Sequence, residues 1–222
     1  MILAIDSSTQ WVGIALFDGG LILYEKIWKT SRRHSVELSP AIASAFDECQ
    51  NSPDNLTAVA VAVGPGSFTS LRIGLAVAKG FALAKHIPII AIPSLDILAY
   101  AIPKQDKPLI CTLRAGRGRL AAQRYRVQGD QWISDSDLLV TTADELESSI
   151  TEPTIICGEL DPEEKKIIAR RWRNAIIADP PSNMRRPSVL AFIAAKKLES
   201  GETSNSASIA PIYLRTVNNI DR

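Results

Sequence analysis

Hydrophobic and polar positions alternate along the first thirty residues with the two-residue period of β-strands. Residues 1–6 form an apolar run that ends in an acid, and residues 11–17 and 21–28 place apolar positions between smaller or polar ones. Asp18-Gly19-Gly20 separates the last two segments and is a strong hairpin signal. The pattern predicts a meander of three strands.

The hydrophobic period becomes helical between residues 35 and 50. One apolar stripe recurs there at helical spacing and consists of Leu38, Ile42, Ala45 and Cys49. Pro40 has two interpretations: it occupies the first turn of a helix capped by Ser39, or it kinks a helix that begins near Ser35. Both interpretations predict an amphipathic helix.

Strands and helices alternate over the rest of the chain. In the first half we expect strands at residues 56–63 and 87–92 and helices at 67–85 and 94–101, which together define an α/β unit with a mixed sheet. The second half is less regular, with strands at 109–113, 119–127, 138–140, 154–157 and 176–178 and helices at 142–150, 161–172 and 187–198. A polar, proline-containing linker at 103–108 divides the chain, so we predict α/β domains over residues 1–102 and 103–222.

The composition is that of a folded protein without a strong electrostatic field. Of 222 residues, 46% are hydrophobic and 22% are charged, and 25 Lys and Arg against 24 Asp and Glu leave a net charge of +1. Contact with nucleic acid therefore requires a local basic cluster. Three widely spaced cysteines without a Cys-x-x-Cys pair predict buried thiols. Charged residues interrupt every apolar run and no signal peptide is recognisable, so we expect no membrane contact and a cytoplasmic location.

The turn after the first strand, Asp6-Ser7-Ser8-Thr9, is the first candidate site. A carboxylate at a strand end followed by hydroxyl side chains is suited to a metal-bound water and to phosphate oxygens, and this arrangement resembles the opening of actin-like and sugar-kinase-like ATPase domains. The alternative is an Asx turn in which Asp6 accepts bonds from its own backbone.

A glycine-rich loop before the second long helix is the other candidate anion site. Gly64, Gly66 and Ser67 connect a strand to a helix N-terminus, where free amides and the helix dipole favour anions. The loop lacks the Gly-Lys-Ser/Thr of a Walker motif. Phe68 is typical of a contact surface instead.

Small residues recur every four positions along the second long helix. They are Ser70, Gly74, Ala78 and Ala82, with Leu71 and Leu75 beside them. A glycine inside a helix costs about 1 kcal/mol relative to alanine, so close approach of another element should offset it. That element is either the sheet of the same domain or a partner subunit.

A basic cluster without acids extends from residue 107 to residue 128. We consider Arg117, Arg119 and Arg124 candidate RNA contacts, with a solvated strand edge as the alternative. His34 and His86 are the only histidines and have no metal-ligand spacing. No nucleophile is singled out by spacing, so we assign no catalytic residue and no metal ligand.

These motifs resemble those of the bacterial TsaB family. The match is carried by Gly-Pro-Gly-Ser-Phe-Thr-Ser-Leu-Arg-Ile-Gly at 64–74, by the opening strand at 1–8, by Arg33-His34-Ser35 and by Pro-Ile-Tyr-Leu-Arg at 211–215. The resemblance is convincing over the first hundred residues and loose afterwards. It implies two subdomains of the actin and sugar-kinase superfamily (ASKHA, ribonuclease H-like), with mixed sheets and flanking helices.

The resemblance also implies a function: a non-catalytic subunit in the formation of threonylcarbamoyladenosine in the anticodon loop of tRNA. Its partners would be the catalytic relative TsaD, the ATPase TsaE and, through the complex, tRNA; alone, the chain would form a homodimer. The implied partner interface consists of Leu38, Ile42, Phe68, Ser70, Leu71, Gly74, Leu75, Ala78 and Ala82. No cofactor is firmly implied, and binding of ATP or ADP by the complex stays open.

One segment departs from the family pattern. Where relatives have an acid, an arginine and a glutamate, this chain has Arg114, Gly116 and Arg119. An arginine cannot hold Mg²⁺, so Asp6 would lack the second carboxylate that phosphotransferases of the superfamily use. The alternative function, a divergent ATP-dependent small-molecule kinase or a glycoprotease-like enzyme, is correspondingly weakened.

Overall fold

A five-stranded mixed sheet organises the first half of the protein. The computed structural model describes residues 1–31, 33–116, 118–204 and 208–214. The strands are β1 (Ile2–Asp6), β2 (Trp11–Asp18), β3 (Leu21–Lys29), β4 (Ala58–Ala62) and β5 (Ile89–Ile92), in the spatial order β3-β2-β1-β4-β5. β1 pairs antiparallel with β2 and parallel with β4, which confirms the predicted meander and mixed sheet.

Helices cover both faces of this sheet. Leu3 and Ile5 of β1 pack against the helices α1 (His34–Glu48) and α2 (Phe68–Lys85). Ile2 and Ala4 point to the opposite face, because successive side chains of a strand alternate, and pack against α6 (Pro187–Glu199). Pro40 lies inside α1, which begins near Ser35 as the second of the two interpretations predicts, while the kink itself stays a prediction.

A second sheet forms the other half. Its strands are β6 (Leu109–Gly116), β7 (Arg119–Gln128), β8 (Gln131–Ser134), β9 (Leu139–Thr141), β10 (Thr154–Gly158) and β11 (Ala175–Ile177), in the order β11-β10-β6-β7-β8, with β9 also paired to β7. One face packs against α3 (Ser94–Ala101). The other packs against α4 (Ala143–Ser149) and α5 (Pro162–Ile168).

Three features of the second half differ from the sequence-based expectation. The strand β8 was not predicted, and α5 ends at Ile168, after which residues 169–171 form a 3-10 turn. The helix α6 packs on the first sheet, because its apolar stripe at Leu190, Ala191 and Ala194 fits the small side chains of β1 and β4. Assignment of α6 to the second half is therefore corrected, while the boundary at residues 102 and 103 stays a prediction.

Two further expectations concern cysteines and membranes. Cys111 and Cys157 are buried free thiols, but Cys49 is only half-buried because it lies at the end of α1. Within the described ranges, no helix has both the length and the apolar character needed to cross a bilayer.

Candidate functional site in the cleft between the two halves

The turn after β1 is buried, and its carboxylate is engaged by the protein itself. Asp6 accepts a hydrogen bond from the Ser8 amide on Oδ1 (2.9 Å), which is the Asx turn considered from the sequence. Its Oδ2 accepts a bond from Nε of Arg185 (2.7 Å). Both carboxylate oxygens therefore have partners within the chain.

The two serines of this turn also bond internally. Ser7 Oγ donates to the carbonyl of Ser70 on α2 (2.7 Å). Ser8 Oγ and Ser94 Oγ are 2.6 Å apart, and Ser94 Oγ accepts the Gly64 amide (3.0 Å). These hydroxyls connect β1 to α2 and α3, so they stabilise the turn.

Arg185 joins the two halves of the molecule and is only 4% exposed. Besides Asp6, it donates to Oε1 of Glu159 (2.7 Å), which follows β10, and to Oγ1 of Thr9 (2.9 Å). Thr9 in turn donates to Glu159 (2.6 Å). Burial alone would lower the pKa of the Arg185 guanidinium, but the two carboxylates outweigh burial and raise that pKa. Arg185 is thus a charged residue of this site that the sequence analysis missed.

The glycine-rich loop lies directly on the same turn. A Cβ at Gly66 would come within 2.2 Å of the Ser8 carbonyl oxygen, so only glycine fits this approach. The Ser67 amide donates to that carbonyl (2.7 Å). The structure brings the two candidate anion sites together, with Asp6, Ser7 and Ser8 of the turn beside Gly64, Gly66 and Ser67 of the loop. One amide at the start of α2 is already used by this contact.

A cleft of about 810 Å³ opens between the halves in front of this turn. Its walls include Thr9, Ser67 and Arg114. His34 is buried beside it at the start of α1, with Nε2 2.9 Å from the Thr9 carbonyl. Arg114 on β6 pairs with Asp161 (3.0 Å) and Glu164 (2.6 Å).

These residues do not fit a magnesium nucleotide. Asp6 faces the Arg185 guanidinium, which would repel a divalent cation, and the Arg114 guanidinium lines the same cleft. Among the residues that the structure describes, no group of three or more His, Cys, Asp and Glu side chains could hold a metal ion.

The predicted partner interface is mostly packed inside the protein. Eight of the nine predicted side chains are buried: Leu38, Ile42, Ser70, Leu71, Gly74, Leu75, Ala78 and Ala82. A Cβ at Gly74 would meet Ser7 Oγ at 2.2 Å, so this small-residue stripe allows α2 to approach β1. The expectation that these eight residues present an exposed surface is corrected in favour of packing on the domain's own sheet. Phe68 is the exception and is 50% exposed.

A different stripe of α2 faces solvent. It consists of Ala76, Gly80, Leu83 and Ala84, and we call it the outer face of α2. A Cβ at Gly80 would have nothing within 4 Å, and Leu83 is 78% exposed. The neighbouring α1 exposes Val36 and Ala43. The outer face is therefore apolar and accessible.

The predicted RNA contacts are dispersed. Arg117 lies outside the described residues, and Arg119 is exposed. Arg124 forms ion pairs with Glu152 and with Asp135 (3.7 Å), so carboxylates neutralise its charge. An RNA contact by these arginines stays a prediction.

Comparisons with known proteins agree with this architecture. A family model described as "TsaD: tRNA N6-adenosine threonylcarbamoyltransferase" matches residues 28–166. The tRNA threonylcarbamoyladenosine biosynthesis protein TsaB of Bacillus subtilis (strain 168) is 31% identical over 218 residues, covering 96% of this chain and 93% of the relative. TsaB of Escherichia coli (strain K12) is 33% identical over 98 residues, covering 44% of this chain and 42% of the relative.

Solved structures support the same fold. YeaZ from Pseudomonas aeruginosa superimposes with a TM-score of 0.78 at 23% identity, covering 96% of this chain and 99% of that one. The ethanolamine utilization protein EutJ from Carboxydothermus hydrogenoformans gives a TM-score of 0.50 at 10% identity, covering 86% and 87%.

Two mixed sheets with flanking helices on either side of a cleft give the actin-like and sugar-kinase-like (ASKHA) fold class, as expected. Within this class, the chain belongs to the TsaB family of tRNA threonylcarbamoyladenosine biosynthesis proteins. Membership of this family places the chain in the biosynthesis of a modified tRNA nucleoside.

Proposed function

We propose that the chain is a non-catalytic subunit that binds a TsaD protein and helps to recruit the ATPase TsaE for threonylcarbamoyladenosine formation in tRNA. Family membership supports the pathway. The observation that carries the subunit role is the outer face of α2, because an accessible stripe of small apolar residues lets another helix approach closely.

Gly80 gives this proposal its sharpest support. Glycine in the middle of a helix costs about 1 kcal/mol relative to alanine, and the open space around Gly80 shows that no contact with the described residues requires it. A partner helix that packs over this position would supply the reason. In contrast, Gly74 is already explained by its contact with Ser7.

The contacts in the cleft also support a non-catalytic role. Asp6, the residue that a kinase of this class would use, is held by Arg185, and its hydroxyl neighbours bond to α2 and α3. An ATP-dependent kinase or glycoprotease function therefore gains no support from these residues. Phosphate release from ATP and Mg²⁺ by the isolated chain would favour that alternative.

Co-purification tests the partner surface directly. Gly80→Trp should abolish co-elution with the TsaD protein of the same organism, whereas Ser148→Trp, which adds the same bulk to an exposed position of α4, should leave it unchanged. Equal co-elution of both variants would contradict the proposal.

Self-association provides a second test of the same surface. Without TsaD we expect two copies of the chain to pair through the outer face of α2, because its apolar side chains are otherwise exposed to water. Light scattering should report a dimer at high micromolar concentration for the wild type and a monomer for Gly80→Trp. A monodisperse wild-type monomer would refute the homodimer.

A further inference from the structure

An exposed tryptophan among arginines lies on the second half, directly after the 3-10 turn that follows α5. Trp172 is 73% exposed, the highest value among the aromatic side chains described as exposed. The sequence around it is Arg170-Arg171-Trp172-Arg173, and these residues together with Asn174 line a shallow cavity of about 340 Å³. We call residues 170–173 the arginine–tryptophan patch.

The charges of this patch are accessible. Arg173 lies with its guanidinium 4.8 Å from the centre of the Trp172 ring, and within the described ranges it has no ion pair. Arg170 and Arg171 contact Asp144 (3.3 Å) and Glu147 (2.8 Å). The Arg170–Asp144 pair joins two side chains that are each about two thirds exposed and is therefore weak, so a phosphate group can replace Asp144.

The basic cluster on β6 and β7 is less accessible to a phosphate group than the arginine–tryptophan patch. Arg114, Arg124 and Arg126 each contact two carboxylates, so that cluster is largely neutralised. It also has its aromatic side chain, Tyr125, buried in the core. The arginine–tryptophan patch combines an accessible ring with accessible guanidinium groups.

We propose that this patch binds an unpaired nucleotide of RNA, with the base stacked on Trp172 and the flanking phosphates on Arg170 and Arg173. A guanidinium that already lies over the indole can extend the stack on which a base rests. Bases inside a duplex are not accessible to such a ring, so the site should prefer a loop or a single strand. The inference rests on the proposed function only for the choice of RNA, a tRNA anticodon stem-loop.

Fluorescence anisotropy with a labelled, unmodified anticodon stem-loop tests the site on the isolated full chain. Trp172→Ala should weaken binding roughly tenfold, while Trp172→Phe should retain most of it, since stacking needs only an aromatic face. Arg173→Gln should lower the slope of log affinity against log salt by about 0.7, which corresponds to one phosphate contact on a single strand. Arg33→Gln, which removes an exposed arginine of the first half, should change neither quantity.

Two further measurements complete the experiment: binding of an RNA duplex of the same length, and co-purification of each variant with TsaD. Weaker binding of the duplex supports the site, and unchanged TsaD binding by Trp172→Ala shows that the RNA effect is local. RNA binding that depends on Trp172 in a chain that fails to bind TsaD would uphold the site and refute the proposed function. Three outcomes would overturn the site. The first is a wild-type chain without RNA affinity, and the second is RNA affinity that Trp172→Ala leaves unchanged. The third is a Trp172→Ala variant that loses TsaD or TsaE binding but keeps its RNA affinity.

Discussion

The two glycines of α2 allow a matched test of which helix face packs inside the protein. Gly74→Ala and Gly80→Ala make the same chemical change in the same helix, and each should gain about 1 kcal/mol of helix propensity. At Gly80 the added methyl group enters open space, so the full gain should appear as stability.

At Gly74 the same methyl group would lie 2.2 Å from Ser7 Oγ. To avoid this clash, Ser7 must rotate and lose its bond to the Ser70 carbonyl (2.7 Å), or α2 must move away from β1. An unsatisfied buried hydroxyl or an overpacked core costs about 1–3 kcal/mol. Because the propensity gain is common to both variants and cancels in their comparison, they should differ by this cost of about 1–3 kcal/mol, with Gly74→Ala the less stable.

Urea denaturation measures this difference, and the slopes of the two transitions should agree. In thermal melts, Gly80→Ala should raise the midpoint by about 2–4 °C. The double variant Ser7→Ala/Gly74→Ala should recover part of the loss, because it removes the clashing oxygen. Equal stabilisation by both glycine substitutions would refute the packing of the Gly74 stripe on β1.

Three further predictions concern other parts of the molecule. Burial alone would raise the pKa of Glu25, but hydrogen bonds from Arg186 and from the start of α6 lower it below the ordinary 4.5. Ionised Glu25 and its hydrogen bonds therefore stabilise the protein above pH 4.5, and this stabilisation is lost as the pH falls through the lowered pKa. The stability deficit of Glu25→Gln at neutral pH should accordingly shrink as the pH falls below about 4.5 in urea titrations. Tyr125→Phe should cost about 1–3 kcal/mol in the same assay, because it removes the hydroxyl donor (2.7 Å) from the half-buried Asp96, and wild-type stability of the variant would contradict this contact. Native protein should show one reactive thiol towards a disulfide reagent, at Cys49, and Cys49→Ser should show none until it is unfolded, since the other two cysteines are buried.

The local elements of the fold were predictable from the sequence, because their periods and turn signals are local. The meander, α1, α2 and the loop between β4 and α2 lie within two or three residues of their predicted positions. The position of α6 was not predictable in this way. Its apolar stripe would fit either sheet, and its contact with β1 joins segments at opposite ends of the chain.

The candidate site shows the same limit. Each of two stripes along α2 contains a glycine, and periodicity cannot say which stripe faces the sheet. The structure places Gly74 against Ser7 of the turn after β1 and leaves Gly80 in open space. Arg185 is 179 residues from Asp6, and no motif near either residue indicates their ion pair. The family resemblance correctly identified the pathway, although the residues assigned to its partner surface were those of the buried stripe.

Reconstituted tRNA modification tests the central claim most directly. Threonylcarbamoyladenosine formation by TsaD and TsaE should require this chain, should fail with Gly80→Trp and should proceed with Ser148→Trp, while the isolated chain releases no phosphate from ATP. Full modification with a Gly80→Trp chain, or without the chain, would contradict a subunit that acts through the outer face of α2.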